Sequence, residues 1–218
     1  MAPPNLVRNP SPQATPYRPR LLDGLAAALV DRAYTELTIA DIVARARVSK
    51  RTFYEHFESK DACLLALGER LSEQTLALIA ASYQFGEDWV AQLRSVTHAF
   101  LSSLETQPAL VQALYIDLLS IGPAGLALRR RLWQRFADFL IMQVDAFRVL
   151  EPLKKPLSPA MATAVVGGIN ELILQAIEQG QADHLSDLTP TVTAFVQAVL
   201  SALDAPIVAP VMPPPSSA

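Results

Sequence analysis

Cysteine is almost missing from this chain: Cys63 is the one thiol among 218 residues, which excludes an intrachain disulfide and a zinc site built of cysteines. Its neighbours are those of a small packed hydrophobe. Histidine is scarce as well. His56, His98 and His184 lie far apart, and no paired-histidine metal motif, phosphate loop or nucleophile elbow occurs. No catalysis, cofactor or metal is therefore expected. The sequence shows no signal-peptide pattern and no apolar run that reaches membrane-spanning length, so a cytoplasmic location and no membrane partner are expected. Strand-like alternation, β-hairpin dipeptides and internal repeats are missing too. What remains is an all-α chain whose 51% hydrophobic content allows a substantial core.

The formal net charge of −3 conceals an asymmetry. Residues 1–60 carry nine Lys or Arg against six Asp or Glu, whereas residues 61–218 carry nine against fifteen. A local basic excess of this kind suits contact with phosphates, and equally describes a solvated face.

Five prolines in residues 1–16, and a Pro-, Ala- and Ser-rich stretch at 205–218, mark two disordered tails. Arg8, Arg18 and Arg20 sit where an N-terminal arm would reach a minor groove, or they are simply solvated. A first helix runs from Pro19 with the stripe Leu22, Leu25, Ala26, Leu29 and Ala33. Thr38 and Asp41 form a capping-box pair ahead of a short second helix, Arg47 and Val48 make a tight turn, and Ser49 starts a third. Ser59 caps a fourth. Further helices are predicted over 87–106, 108–121, 123–150, 158–180 and 187–204, with breaks at Pro108, Gly122-Pro123, Glu151-Pro152 and Gly180.

Residues Val48 to Lys60, VSKRTFYEHFESK, carry the most information. On a helix starting at Ser49, Phe53 and Phe57 share one face and anchor it in a core. Arg51, Thr52 and Glu55 then point away, and Tyr54 and His56 flank them at about 80°. Outward residues can meet base edges in a groove while the flanking pair grips its phosphate walls. Lys50 tilts toward the core side on the same wheel and escapes by its long stem.

The order of a capped helix, a tight turn, the helix S-K-R-T-F-Y-E-H-F and a Ser-Lys-Asp helix start resembles the tetracycline-repressor-like (TetR) family of bacterial regulators. The likeness is close over residues 18–68. It implies a disordered tail (1–16), a three-helix helix-turn-helix DNA-binding domain (17–60), a larger helical ligand-binding and dimerisation domain (61–204) and a second tail (205–218). It further implies that Thr38, Tyr54, His56 and Lys60 contact phosphates and that Lys50, Arg51 and Thr52 approach bases. One departure stands out: where many family members have Gly in a left-handed turn, this chain has Arg47, at a cost on the order of 1 kcal/mol. Either the turn is shaped differently or the guanidinium offsets the strain on a phosphate.

The same resemblance implies a homodimer that reads a near-palindromic operator on double-stranded DNA, blocks transcription and is released by a small, largely apolar effector. Helix 158–180 is apolar nearly all round, so it must be buried on two sides, with Gly167 and Gly168 permitting close approach. Val165, Gly168 and Leu172, with Phe195 and Val199 of the last helix, are the expected dimer contacts. Polar groups on apolar faces suggest a ligand cavity lined by Trp89, His98, Phe100, Tyr115, Asp117, Phe136, Phe139, Gln143, Asn170 and Glu171. Each of these is also compatible with ordinary core packing. Arg129, Arg130, Arg131 and Arg135 read as a solvated face. Two alternatives to a ligand-released repressor stay open: a ligand-insensitive architectural DNA-binding protein, and a helical interaction module.

Overall fold

The computed structural model describes residues 17–82, 89–148 and 155–203, and every regular element among them is helical. Both predicted tails, Arg8, Leu150 and the Glu151-Pro152 break lie outside the described residues, as does the side chain of Phe147. In order the elements are α1 (Tyr17–Leu29), a 3-10 turn (Tyr34–Glu36), α2 (Ile39–Ala46), α3 (Lys50–His56), α4 (Lys60–Ala81) and α5 (Trp89–Glu105). There follow α6 (Pro108–Gln112), a π-helical turn (Ala113–Asp117), α7 (Leu118–Ser120), α8 (Pro123–Arg148), α9 (Pro159–Glu178), a 3-10 turn (Leu185–Leu188) and α10 (Thr189–Ser201). The helix predicted over 108–121 is thus interrupted by five residues of wider π geometry, an irregularity that leaves no mark on hydrophobic spacing.

Local signals start several helices. The Thr38 side chain accepts from the Asp41 N–H while Asp41 accepts from the Thr38 N–H, a complete capping box on α2. Ser49, Ser59 and Ser158 each accept from the backbone N–H three residues on, at 3.0, 3.0 and 3.2 Å.

Two compact units divide the chain, with boundaries after Gln74, Glu105 and Arg129, so that α4 and α8 each cross one. In the first, α1, α2 and α3 enclose Leu21, Leu22, Leu25, Ile42 and Phe53, all essentially without solvent contact. Gly24 sets the spacing of α1 and α2. A Cβ on it would lie 2.7 Å from the carbonyl oxygen of Ile42 and 2.9 Å from the Cβ of Ala46. In the second unit α8 and α9 pack through Ala137, Val144, Ala162 and Val166 with Trp133, Phe136 and Leu140 around them.

The expectation that no apolar run has membrane-spanning length needs correcting for α9. Its 20 residues and mean hydropathy of 1.5 meet that requirement by length and composition. Packing explains the composition: Ala162, Val165, Val166, Ile173, Ala176 and Ile177 are buried within the unit. Gly167 and Gly168 serve that packing too, since Trp133 lies 3.7 Å from where a Cβ on the first would stand and Phe195 lies 3.2 Å from one on the second.

Gly24→Ala should destabilise the protein by about 1–3 kcal/mol, because the atoms a methyl would meet are backbone and a helical Cβ that move only with the whole of α2. The midpoint of a urea titration measures this; an unchanged midpoint would show that the α1–α2 spacing is not fixed there.

Candidate nucleic-acid interface

Helix α3 is seven residues long, so its position comes from its neighbours rather than from its own hydrogen bonds. Phe53 is 0% exposed, with its ring centroid 5.7 Å from that of Phe57. Opposite these rings, Lys50, Arg51, Tyr54, Glu55 and His56 are all exposed, Tyr54 to 59%. Lys50 therefore faces solvent and not the core. Thr52 is half-buried, with its hydroxyl 2.9 Å from that of Ser49. The exposed Arg51 donates from Nε to Glu55 Oε1 at 3.2 Å.

The turn entering α3 adopts the geometry that its sequence makes costly. Arg47 has φ 54° and ψ 48°, the left-handed region, which costs a residue with a Cβ about 1–2 kcal/mol. The compensation comes from a distant side chain. Arg20 of α1 donates from Nη2 to the carbonyls of Ala46 at 2.8 Å and Arg47 at 2.9 Å, satisfying oxygens that the end of α2 leaves open. Arg20 is thus a backbone clamp rather than part of a minor-groove arm. Helix α1 already begins at Tyr17, and Arg18 lies on it with its guanidinium carbon 5.3 Å from the centre of the Phe57 ring.

Two of the expected phosphate contacts also have partners inside the unit. The Thr38 hydroxyl donates to Asp41 Oδ2 at 2.6 Å, and this bond, more than the attraction of Arg32, holds the Asp41 carboxyl below the usual range. Lys60 donates from Nζ to the carbonyls of Tyr34 at 2.7 Å and Leu37 at 2.8 Å and lies 4.3 Å from the Tyr34 ring centre. Tyr34 in turn donates to Asp61 at 2.5 Å. Burial, then this bond to a carboxylate, raises the Tyr34 phenol well above its ordinary pKa. Sequence inspection misses this Tyr34–Lys60–Asp61 node because its partners are 26 or 27 positions apart.

Comparison with known proteins agrees with this geometry. The description "bacterial regulatory proteins, tetR family" matches residues 21–67, the stretch from α1 into α4. The HTH-type transcriptional repressor DhaR of Mycobacterium sp. strain GP1 is 29% identical over 105 residues, 48% of this chain and 53% of that protein. Residues 21–67 carry the DNA-binding module of the tetR family of bacterial regulatory proteins. The match spans only about half the length of that repressor. Beyond it the likeness to solved structures is one of fold alone. The regulator FadR from Bacillus subtilis in complex with stearoyl-CoA superposes with a TM-score of 0.68 at 16% identity, covering 84% of this chain and 97% of that one. Salmonella enterica GusR gives 0.67 at 18%, covering 87% and 98%.

The candidate effector residues are divided between the two units. Tyr115 and Asp117 lie on the π turn of the first unit, where burial raises both groups, with Lys60 opposing the rise at Asp117. The other eight belong to the second unit. There Phe100 and Phe136 are ring neighbours at 6.2 Å, and the Asn170 amide bonds its own helix at Val166. Trp89, Phe139 and Gln143 are half-buried, whereas His98 and Glu171 are exposed, Glu171 accepting from Gln175. Of the candidate interface residues, Val165 is 1% exposed and Gly168 faces Phe195, so both serve the unit's own packing. Leu172 and Val199 are half-exposed and Phe195 is exposed. Cys63 is buried and its thiol pushed up to about 12, mainly by desolvation, which makes it a packed hydrophobe.

Arg47→Gly should stabilise the free protein by about 1 kcal/mol, since glycine adopts the same turn without the Cβ penalty. A rise in thermal midpoint with unchanged helical signal is the expected result; a fall would mean that the Arg47 side chain holds the turn through contacts of its own.

Proposed function

We propose that the protein is a cytoplasmic, ligand-responsive transcriptional repressor that binds a near-palindromic operator as a homodimer. The observation that carries this reading is the construction of α3: a helix pinned by a fully buried Phe53 and presenting Lys50, Arg51 and Tyr54 to solvent. Lys50, Arg51 and Thr52 are assigned to base edges, and Tyr54, His56, Thr38 and Lys60 to the phosphate backbone. Two such helices in successive major grooves stand about 34 Å apart. The DNA-binding part corresponds to residues 17–60, and the rest of the folded chain to regulation and dimerisation.

Dimerisation is assigned to the outer faces of α9 and α10. Phe195 and Met161 are exposed large apolar residues there, with Leu172 and Val199 beside them half-exposed. The effector is assigned to the second unit, around the Phe100–Phe136 pair with Trp89, Phe139, Gln143 and Asn170. The stearoyl-CoA bound by the fold neighbour from Bacillus subtilis joins a long apolar acyl chain to a charged coenzyme A group, and only its acyl part is of this kind. Effector binding shifts α4 and with it α3. To take the protein from almost wholly bound to almost wholly released, the effector must prefer the released form by about 5.5 kcal/mol.

Mobility-shift titrations on DNA from upstream of the gene and on random DNA test the reading. Arg51→Ala should lose about 1–3 kcal/mol on the specific site and little on random sequence. Tyr54→Phe should weaken both alike, because a phosphate contact carries no sequence information. Equal losses on both DNAs for Arg51→Ala would sink its assignment as a base reader. Phe195→Asp should give a folded monomer in analytical ultracentrifugation with much weakened operator binding, and a dimer that survives it places the interface elsewhere.

A further inference from the structure

The Arg51–Glu55 pair is the wrong way round for stabilising α3. Helices favour acid before base at a spacing of four, because their N-terminus is the positive end of the dipole. Here the base comes first, and the first turn of α3 contains no acid. Both side chains are largely solvated, Arg51 to 90%, so as a surface ion pair they add at most about 0.5 kcal/mol.

What the pair does achieve is orientation. The bond to Glu55 Oε1 is made by Arg51 Nε on a side chain that is 90% exposed, which leaves Nη1 and Nη2, the terminal fork that matches O6 and N7 of guanine, outside that bond. Glu55 places a negative charge on the same outward face. In a groove lined by acceptors and flanked by phosphates that charge is unfavourable, and the Arg51 guanidinium offsets it only while it stays beside Glu55.

We propose that Glu55 is a positioning and specificity residue: it aims the terminal fork of Arg51 at a guanine and lowers affinity for DNA that offers none. The proposal rests on α3 being the reading helix. It makes Glu55 act through Arg51 and not as a reader of its own, and it predicts two separable effects. The carboxylate charge penalises all DNA, while the hydrogen bond from Nε sharpens the preference for guanine.

The test uses the full chain with Glu55→Gln, Glu55→Ala and Arg51→Ala, each checked for native helical content. A preferred site is selected from a random pool with the unaltered protein. All four proteins are then titrated on that site, on the site with guanine replaced by adenine at the position that Arg51→Ala no longer selects, and on random DNA. Glu55→Gln, which keeps an acceptor for Nε, should bind random DNA about three-fold more tightly and keep most of its guanine preference. Glu55→Ala should show the same gain on random DNA and lose about five-fold in guanine-over-adenine preference. Unchanged random-DNA affinity and unchanged preference in both Glu55 variants would overturn the proposal while Arg51→Ala still relaxes selection. If Arg51→Ala selects the same site with the same affinity, the reading helix itself is misassigned and the proposal falls with it.

Discussion

Helices α2 and α3 contain eight and seven residues, lengths at which a helix in water does not hold itself together. Everything the DNA-binding half presents outward depends on how the ends of α2 are tied. Its entry is fixed by the Thr38–Asp41 capping box and, just before it, by Lys60 on the carbonyls of Tyr34 and Leu37. Its exit is fixed by Arg20 on the carbonyls of Ala46 and Arg47. Charged donors on backbone oxygens contribute about 1.5–3 kcal/mol each. These clamps therefore outweigh the left-handed strain at Arg47 and set the direction in which Ser49 launches α3.

This arrangement changes the meaning of the basic excess in the first sixty residues. Arg20 and Lys60 serve the backbone, Arg32 pairs with Asp41, Arg45 pairs with Asp31, and Arg18 stacks on Phe57. Among the described residues Lys50, Arg51 and Arg47 are exposed at or before the first turn of α3, and of the other exposed cations Arg32 and Arg45 are already paired with carboxylates. The field that a polyanion meets is thus narrower than a count of charges implies. It is centred on the turn and the start of the reading helix, and tempered by Glu55.

The parts of this fold that were legible in the sequence are those fixed by neighbours three or four residues apart. Ser49, Ser59, Ser158 and the Thr38–Asp41 box announce helix starts because a cap is a local bond, and Phe53 with Phe57 announce the buried face for the same reason. The turn at Arg47 was legible only as a choice between a different shape and a strained left-handed residue, and the left-handed form is the one adopted. The clamps of Arg20 and Lys60 and the bond from Tyr34 to Asp61 were not. They join residues 23 to 27 apart, and a lysine or arginine carries no local mark that says whether it will meet a carbonyl or a phosphate. Apolar periodicity likewise failed to separate inner from outer faces on α9, where Gly168 and Val165 turn out to pack against the chain's own helices.

Lys60 shows how fully one side chain can be committed to the frame of so small a domain. Its ammonium has three N–H groups, two of which end on the carbonyls that precede α2, while its stem begins α4 beside Asp61. A phosphate drawn to the remaining N–H would bind a group already held in place, with little side-chain entropy left to lose. The same economy means that truncating Lys60 would loosen the approach to α2 as well as any phosphate contact, so its effect on affinity would mix the two. Arg51 and Tyr54 differ in kind: their hydrogen-bonding groups meet no backbone partner among the described contacts, Arg51 bonding only Glu55. Substitutions that remove only those groups leave the frame in place, whereas truncating Lys60 disturbs the frame as well.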